Sequence, residues 1–101
     1  EGAIWVGTFK KGAYKLKNGR VVLALSEADG LPGDEIRSIL PLKNGEVWFG
    51  TNKGLFVLGN KKISDEFNKT YPNNFIFAIE SHNGRDIWIS VSKGDGGLFH
   101  F

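Results

Sequence analysis

The 101-residue sequence contains no cysteine. Disulfides, thiolate nucleophiles and cysteine-ligated metal sites are therefore excluded, although the absence does not distinguish the cytosol from the periplasm. The sequence has no apolar run near the ~18 residues that a membrane-spanning helix needs, and no signal peptide is recognisable. Histidine occurs only at His82 and His100. We expect these two to occupy different structural positions with no carboxylate cluster joining them, so no metal site or cofactor is predicted.

The formal net charge is only +2 at pH 7, with an isoelectric point near 9.0. The lysines are scattered along the chain, so this weak basic balance predicts no nucleic-acid partner. Glycine, in contrast, is abundant. The 14 glycines are about twice the average share, and Asn-Gly occurs three times. This composition favours many short strands joined by tight turns.

Three copies of a tryptophan-centred segment divide the chain. Tryptophan stands at positions 5, 48 and 88, so the gaps are 43 and 40 residues. The segment Gly45–Thr51 matches Gly2–Thr8 position for position, and Gly84–Ser90 matches with one inserted residue. A further Gly-apolar-aromatic segment follows each tryptophan, beginning at Gly12, Gly54 and Gly97. A period near 40 residues indicates a repeat architecture, and four strands per ~40–45 residues are typical of a propeller blade.

The predicted fold class is all-β, with β-propeller blades that are four-stranded antiparallel meanders. Ten strands are predicted, at 3–8, 13–17, 21–26, 35–42, 46–51, 55–58, 61–67, 75–81, 86–91 and 98–101. Asn18-Gly19 predicts a two-residue hairpin turn, because both residue types accept positive φ. We expect essentially no helix, because proline and glycine interrupt the one candidate stretch at 26–37.

These strands make an incomplete propeller of roughly 2.5 blades. With strands lettered A to D outward from the propeller axis, residues 1–28 form a partial blade B–D, 29–68 a complete blade, and 69–101 a partial blade A–C. An open array exposes apolar faces and strand edges. We therefore expect a fragment that associates with other copies or with the remaining blades of a parent protein.

Repeated residues have predicted structural roles. We expect Trp5, Trp48 and Trp88 to pack between blades, the alternative being a stacking platform for a sugar. We assign Gly7 and Gly50 to close packing and to the B–C turn, together with their following threonines. Gly54 begins the next strand after that turn.

Ligand binding is predicted on the rim that collects the longer loops, because binding residues usually lie on loops held by a rigid scaffold. The candidate residues on this rim are Asp29, Asn52, Lys53, Tyr71, Asn73, Asn74, Lys93 and Asp95. The alternative for each is an ordinary solvated loop. No catalytic residues are predicted, because the acidic pairs Asp34-Glu35 and Asp65-Glu66 fall at different strand positions and cannot act together.

The segments Gly30–Pro32, Ile36–Ile39, Asn44–Thr51 and Gly54–Phe56 resemble the two-component regulator propeller repeat. The third copy departs from that pattern, because Ser90-Val91 stands where the family has Gly-Thr. This repeat occurs in periplasmic sensor regions of hybrid two-component systems, especially in gut Bacteroidetes. The resemblance implies a periplasmic, non-catalytic module that helps to sense oligosaccharides and to transduce the signal, with any histidine kinase module outside this chain.

Two other hypotheses remain open. One is a propeller enzyme such as a lyase or a glycosidase, which would need convergent acidic residues or histidines. The other is a lectin-like, structural or engineered propeller repeat that assembles by oligomerisation.

Overall fold

A computed structural model describes residues 2–101, with every side chain among them except that of Asp95. Three antiparallel sheets of three strands each follow one another along the chain. The first sheet contains β1 (Ala3–Gly7), β2 (Ala13–Lys17) and β3 (Arg20–Leu25). The second sheet contains β4 (Ile36–Pro41), β5 (Val47–Thr51) and β6 (Gly54–Leu58). The third sheet contains β7 (Ile76–Glu80), β8 (Trp88–Val91) and β9 (Leu98–His100). One α-helix, α1 (Lys61–Thr70), connects the second sheet to the third. Neither this helix nor any other in the described residues has the length and apolar character to cross a membrane.

Nine of the ten predicted strands are confirmed to within two residues at each end, and the tenth is wrong. The segment 61–67 was expected to be a fourth strand, but it forms most of α1. The second sheet therefore has three strands rather than four, and the expectation of no helix is also wrong. Ile63 and Phe67, four residues apart, share one helical face, and charged residues take the others. Lysine, aspartate and glutamate, which make up four of the seven residues of this segment, are poor strand formers.

Asn68 on α1 occupies the edge that a fourth strand would have paired. The Leu55 N–H donates to Asn68 Oδ1 over 2.9 Å, and Asn68 Nδ2 donates to the Leu55 carbonyl over 2.7 Å. One side-chain amide thus satisfies both backbone groups of a residue in edge strand β6. The neighbouring Phe67 is buried and packs against Phe99 and Phe101, with ring centroids 5.1 and 5.9 Å apart. The helix therefore fills the corner between the second and third sheets.

The first and second sheets each pack one face on the sheet that follows in the chain. Trp5 packs edge-on against Phe49 with ring centroids 5.1 Å apart, and Trp48 packs in the same way against Phe101 at 5.1 Å. These two tryptophans therefore pack between neighbouring sheets. Trp88 is different, because within residues 2–101 no further sheet covers it and its side chain is 43% exposed.

The sheets approach each other closely at two glycines. A Cβ atom added to Gly7 would lie 2.5 Å from Ile36 Cγ2, and one added to Gly50 would lie 2.6 Å from Ile76 Cγ2. Both isoleucines lie on the first strand of the following sheet. Gly7 and Gly50 therefore lie where neighbouring sheets leave no room for a larger side chain.

The predicted turns also form. Asn18 and Gly19 both have positive φ, at 53° and 75°, as a two-residue hairpin requires. In the turn after β5, Thr51 Oγ1 donates to the Gly54 carbonyl over 2.8 Å, and Thr8 makes the same bond to Gly12 after β1. The threonines therefore close the turns as expected.

Two apolar cores separate the three sheets. The core between the first and second sheets contains Ala13, Leu25, Leu31, Val47, Phe49 and Phe56, with Trp5, Ile36, Ile39 and Leu58 packed against it. The core between the second and third sheets contains Trp48, Leu55, Val57, Phe67, Ile76, Ile79, Ile87, Ile89 and Val91. The sheets lie within residues 3–25, 36–58 and 76–100. The division into blades at residues 28 and 68 stays a prediction.

Candidate functional site

The rim predicted to bind a ligand is held together by one of its own candidate residues. Asn74 is completely buried. Its Oδ1 accepts hydrogen bonds from the backbone N–H groups of Ser92 and Lys93 and from Ser92 Oγ, at 3.1, 2.9 and 3.1 Å. Its Nδ2 donates to the Lys93 carbonyl over 3.0 Å. Asn74 therefore connects the loop before β7 to the loop after β8, which is a structural role.

Two further candidates on this rim are also engaged within the chain. The Tyr71 ring packs against Phe99 and Phe67, with centroids 4.7 and 5.4 Å apart. The Asp29 carboxylate accepts from the Ser26 backbone N–H over 3.0 Å and so closes a capping box. Both side chains help to hold their loops in place.

The remaining candidates are scattered along the same rim. Asn52 Oδ1 is buried against Gly33 and lacks a hydrogen-bond partner among the described residues. Lys53, Asn73 and Lys93 are exposed. The side chain of Asp95 lies outside what the structure describes. Ligand binding by these residues stays a prediction.

A cleft of about 290 Å³ lies on the opposite rim, between the second and third sheets. Its walls are the β4–β5 turn of the second sheet and the β7–β8 turn of the third. The cleft is lined by Leu42, Asn44, Glu46, Trp48, Ile63, Gly84, Arg85, Ile87 and Phe101. Ligand binding had been predicted on the other rim, which collects the longer loops. This cleft arises because Ile63 of α1 and Phe101 after β9 add walls to the two tight turns.

The floor of the cleft is apolar. Trp48 and Ile87 are buried, whereas Ile63 and Phe101 are partly exposed. The Phe101 ring meets Trp48 edge-to-face, with an interplanar angle of 72°. The Phe101 ring and the aliphatic side chains give the floor apolar surface for the C–H groups of a small ligand.

The Glu46 carboxylate has a fixed orientation at the side of the cleft. Trp48 Nε1 donates to Glu46 Oε1 over 3.1 Å, and Asn60 Nδ2 donates to Oε2 over 3.3 Å. Asn44 Oδ1 accepts the Glu46 backbone N–H over 2.9 Å, which holds the turn. Each carboxylate oxygen retains acceptor capacity, because an ionised carboxylate offers about four lone-pair sites.

Arg85 supplies a cation on the opposite wall. Within residues 2–101, the ion pairs are Arg37–Glu35 and His100–Asp86, and neither includes Glu46 or Arg85. The cleft thus presents a fixed acceptor on one wall and a guanidinium donor on the other, above an apolar floor. This combination suits a small polar ligand that has both hydroxyl groups and an apolar face.

Two cleft residues stand at positions where the three copies of the repeat differ from one another. Arg85 follows Gly84, where the third copy carries its one inserted residue. Glu46 stands at a position that Ala3 occupies in the first copy and Asp86 in the third. Departures between copies of a repeat are where individual function is found, whereas the shared residues maintain the packing.

The acidic pairs considered for catalysis do not converge. Asp34 Oδ1 accepts the Glu27 backbone N–H over 2.9 Å, and Glu35 pairs with Arg37 at 3.3 Å before β4. Asp65 and Glu66 lie exposed on α1. Throughout the described part of the chain, no three side chains of the metal-ligating types come together.

Residues 30–53 match the family model of the two component regulator propeller. This match falls on the segment whose sequence resembles the same repeat. The matched segment runs from the loop before β4, through β5, to the turn before β6, and it includes Asn44, Glu46 and Trp48 of the cleft. No curated protein and no solved structure matches the chain.

Proposed function

We propose that this chain is part of the sensor β-propeller of a hybrid two-component system, that it lies in the periplasm, and that it binds an oligosaccharide without catalysing a reaction. The family match over residues 30–53 supports the two-component assignment. The succession of three similar sheets supports the propeller, each sheet being one blade.

The cleft between the second and third sheets carries the ligand part of this proposal. Sugar hydroxyls donate to the Glu46 carboxylate and accept from Arg85, while a pyranose C–H face contacts Phe101. A volume of about 290 Å³ is at the lower end of small-molecule pockets. The cleft therefore holds one terminal sugar unit, and the remainder of the oligosaccharide extends over the rim.

Calorimetric titration with a panel of neutral and acidic oligosaccharides tests this function. We expect binding by at least one glycan class, and a loss of about tenfold in affinity for Glu46→Gln, because a charged acceptor is replaced by a weaker neutral one. Glu66→Gln is the matched control, since Glu66 is exposed on α1 and does not line the cleft. Equal affinity of both variants and the wild type would place the sugar elsewhere, and no binding by any glycan would contradict the proposal.

A lectin-like or structural repeat that assembles by oligomerisation is the second candidate function. The exposed apolar residues on the outer faces of the first and third sheets favour it. The same titration separates a purely structural repeat from the sensor, because a structural repeat binds no glycan, and the mass in solution shows whether a glycan-binding chain also assembles by oligomerisation.

A further inference from the structure

The cleft between the second and third sheets carries one charge of each sign, and the two charges lie on different sheets. Glu46 precedes β5 of the second sheet, and Arg85 lies in the turn before β8 of the third. Within residues 2–101, neither side chain takes part in an ion pair. The two walls of the cleft therefore differ in charge, and each of these charges lacks a counter-charge in contact with it.

The Glu46 carboxylate is oriented by neutral groups only. Its side chain is partly buried, and its two oxygens accept from Trp48 Nε1 and Asn60 Nδ2. Asparagine is among the best N-cap residues of a helix. Asn60 is the N-cap residue of α1, but its side chain makes no capping hydrogen bond, because its amide contacts Glu46 instead. Glu46 is thus held in place without being neutralised.

The cation on the opposite wall also extends from an ordered turn. Asn83 Oδ1 accepts the Arg85 backbone N–H over 2.8 Å. The neighbouring Asp86 directs its carboxylate at Asn83 Nδ2 and at His100 Nε2, at 2.6 and 3.1 Å. The one carboxylate adjacent to Arg85 in sequence is therefore engaged with other groups, and the guanidinium is left to a ligand.

This pair of charges is absent from the equivalent junction between the first and second sheets. Ala3 has the repeat position of Glu46, and no residue is inserted after Gly45 to correspond to Arg85. Residues that maintain the packing recur in the copies, as the tryptophans do. The two charges are therefore a property of this one cleft and are not needed to pack one sheet on the next.

A neutral sugar fits the shape of the cleft better than it fits the charges. A ring that lies on the apolar floor displaces water from Glu46 and from Arg85. Taking a charged group out of water without a counter-charge is costly. Hydrogen bonds that involve ionised groups are roughly twice as strong as those between neutral groups. A ligand that brings a counter-charge to each wall is therefore bound more tightly than a neutral ligand of the same shape.

We propose that the sugar unit held by this cleft is zwitterionic, with an ammonium group that donates to Glu46 and a carboxylate that accepts from Arg85. This inference rests on the proposed function, because it specifies the kind of sugar that the cleft takes. The ammonium uses the acceptor capacity that remains on the Glu46 oxygens. The carboxylate accepts two parallel hydrogen bonds from the guanidinium. The ligand class is therefore an amino sugar with an acidic substituent.

Four monosaccharides of one ring shape separate the two charges. Muramic acid carries both charges, glucosamine carries only the ammonium, the lactyl ether of glucose carries only the carboxylate, and glucose carries neither. Each is used as its methyl glycoside. Titrations are followed through the indole N–H resonances of the nitrogen-labelled chain. Trp48 lines the cleft and reports binding there, whereas Trp88 lies outside the cleft and is the internal control.

We expect muramic acid to bind at least about tenfold more tightly than glucose, with the two singly charged sugars in between. Glu46→Gln should lower the affinity for muramic acid and glucosamine by about tenfold, and the affinity for the two sugars without an amine by much less. Arg85→Gln should lower the affinity for the two carboxylates by about threefold, because Arg85 is exposed. Glu66→Gln and Arg20→Gln, on exposed residues outside the cleft, are the matched controls.

Failure of this inference is distinguishable from failure of the proposed function. If an oligosaccharide shifts the Trp48 resonance while muramic acid binds no better than glucose, the cleft is a sugar site and the zwitterionic ligand is excluded. If no sugar shifts the Trp48 resonance, both the inference and the cleft as a sugar site are wrong. A Glu46→Gln variant that keeps the full preference for muramic acid also overturns the inference. The comparison of the four sugars uses the wild type, so it does not depend on whether a variant folds.

Discussion

Trp48 and Trp88 occupy the same position of the same repeat, but their surroundings differ. Trp48 is 2% exposed, because Ile87 and Phe101 of the third sheet cover it, whereas Trp88 is 43% exposed with only His100 stacked on it. Neighbouring units make the difference, since each sheet in such an array contacts only the sheets before and after it. The burial of a repeat position therefore depends on what lies next to its sheet as much as on the residue itself.

The third sheet has polar residues where the second sheet has apolar ones. His100 corresponds to Val57, Glu80 to Leu40, and Ser90 to Gly50. Three predictions compare positions that are buried between neighbouring sheets, here called inner, with positions on the uncovered sides of the first and third sheets, here called outer.

The largest effect is expected at Phe49, which is fully buried between the first two sheets. Phe49→Ala should lower the free energy of unfolding by about 3–5 kcal/mol, because it leaves a cavity in a packed core. Val6→Ala, at the equivalent outer position, should change it by less than ~0.5 kcal/mol in dilute solution. Urea unfolding of both variants measures the difference. Similar losses at the two positions would contradict the distinction between inner and outer faces.

A smaller effect is expected where the sheets approach most closely. Gly50→Ala should cost about 1–3 kcal/mol, because the added Cβ must displace Ile76 or the strand that carries it. Ser90→Ala, at the matching outer position, should be nearly neutral. The midpoint of urea unfolding should shift for the first variant and not for the second. An unchanged midpoint of urea unfolding for Gly50→Ala would show that the second and third sheets can move apart without a loss of stability.

The smallest effect is expected from an exposed carboxylate two residues before β8. The Asn83 side chain donates a hydrogen bond to Asp86, and this bond, with the contact from His100, holds the pKa of Asp86 below its ordinary value of 3.8. Because the folded-state pKa is the lower one, the stabilisation is present above the ordinary pKa and is lost as pH falls through the folded value.

Unfolding midpoints measured between about pH 5 and pH 2 test this contribution. Asp86→Asn should weaken the loss of stability on acidification, and Asp65→Asn on the exposed side of α1 should leave it unchanged. The effect should shrink in high salt, since exposed charges are screened. A wild-type and an Asp86→Asn curve of identical shape would contradict the role of this carboxylate.

The sequence predicted most of the fold because its signals are local. The turns at Asn18-Gly19 and at Thr51–Gly54 are fixed by the φ preferences of asparagine and glycine and by one hydroxyl bond. The error at 61–67 arose because the repeat count, and not the local pattern, suggested a fourth strand. The spacing of Ile63 and Phe67 had the helical period.

The candidate site was less accessible to sequence reasoning. Asn74 is a polar residue in a loop, which is typical of a binding residue, but its amide is fully used in joining two loops. The cleft forms from side chains far apart in sequence, such as Glu46, Arg85 and Phe101. Their proximity depends on how the second sheet packs on the third, and no local pattern encodes that packing.

The sequence by itself determined the positions of nine strands, the tight turns between them, and the glycines that allow sheets to approach. These depend on backbone preferences and on the alternation of apolar residues, which act over a few residues. Only the tertiary structure decided that α1 replaces a strand, that the cleft lies on the rim of tight turns, and that Trp88 is exposed while Trp48 is buried. Each of these depends on which surface lies across from a given residue, and that is a property of the packed array.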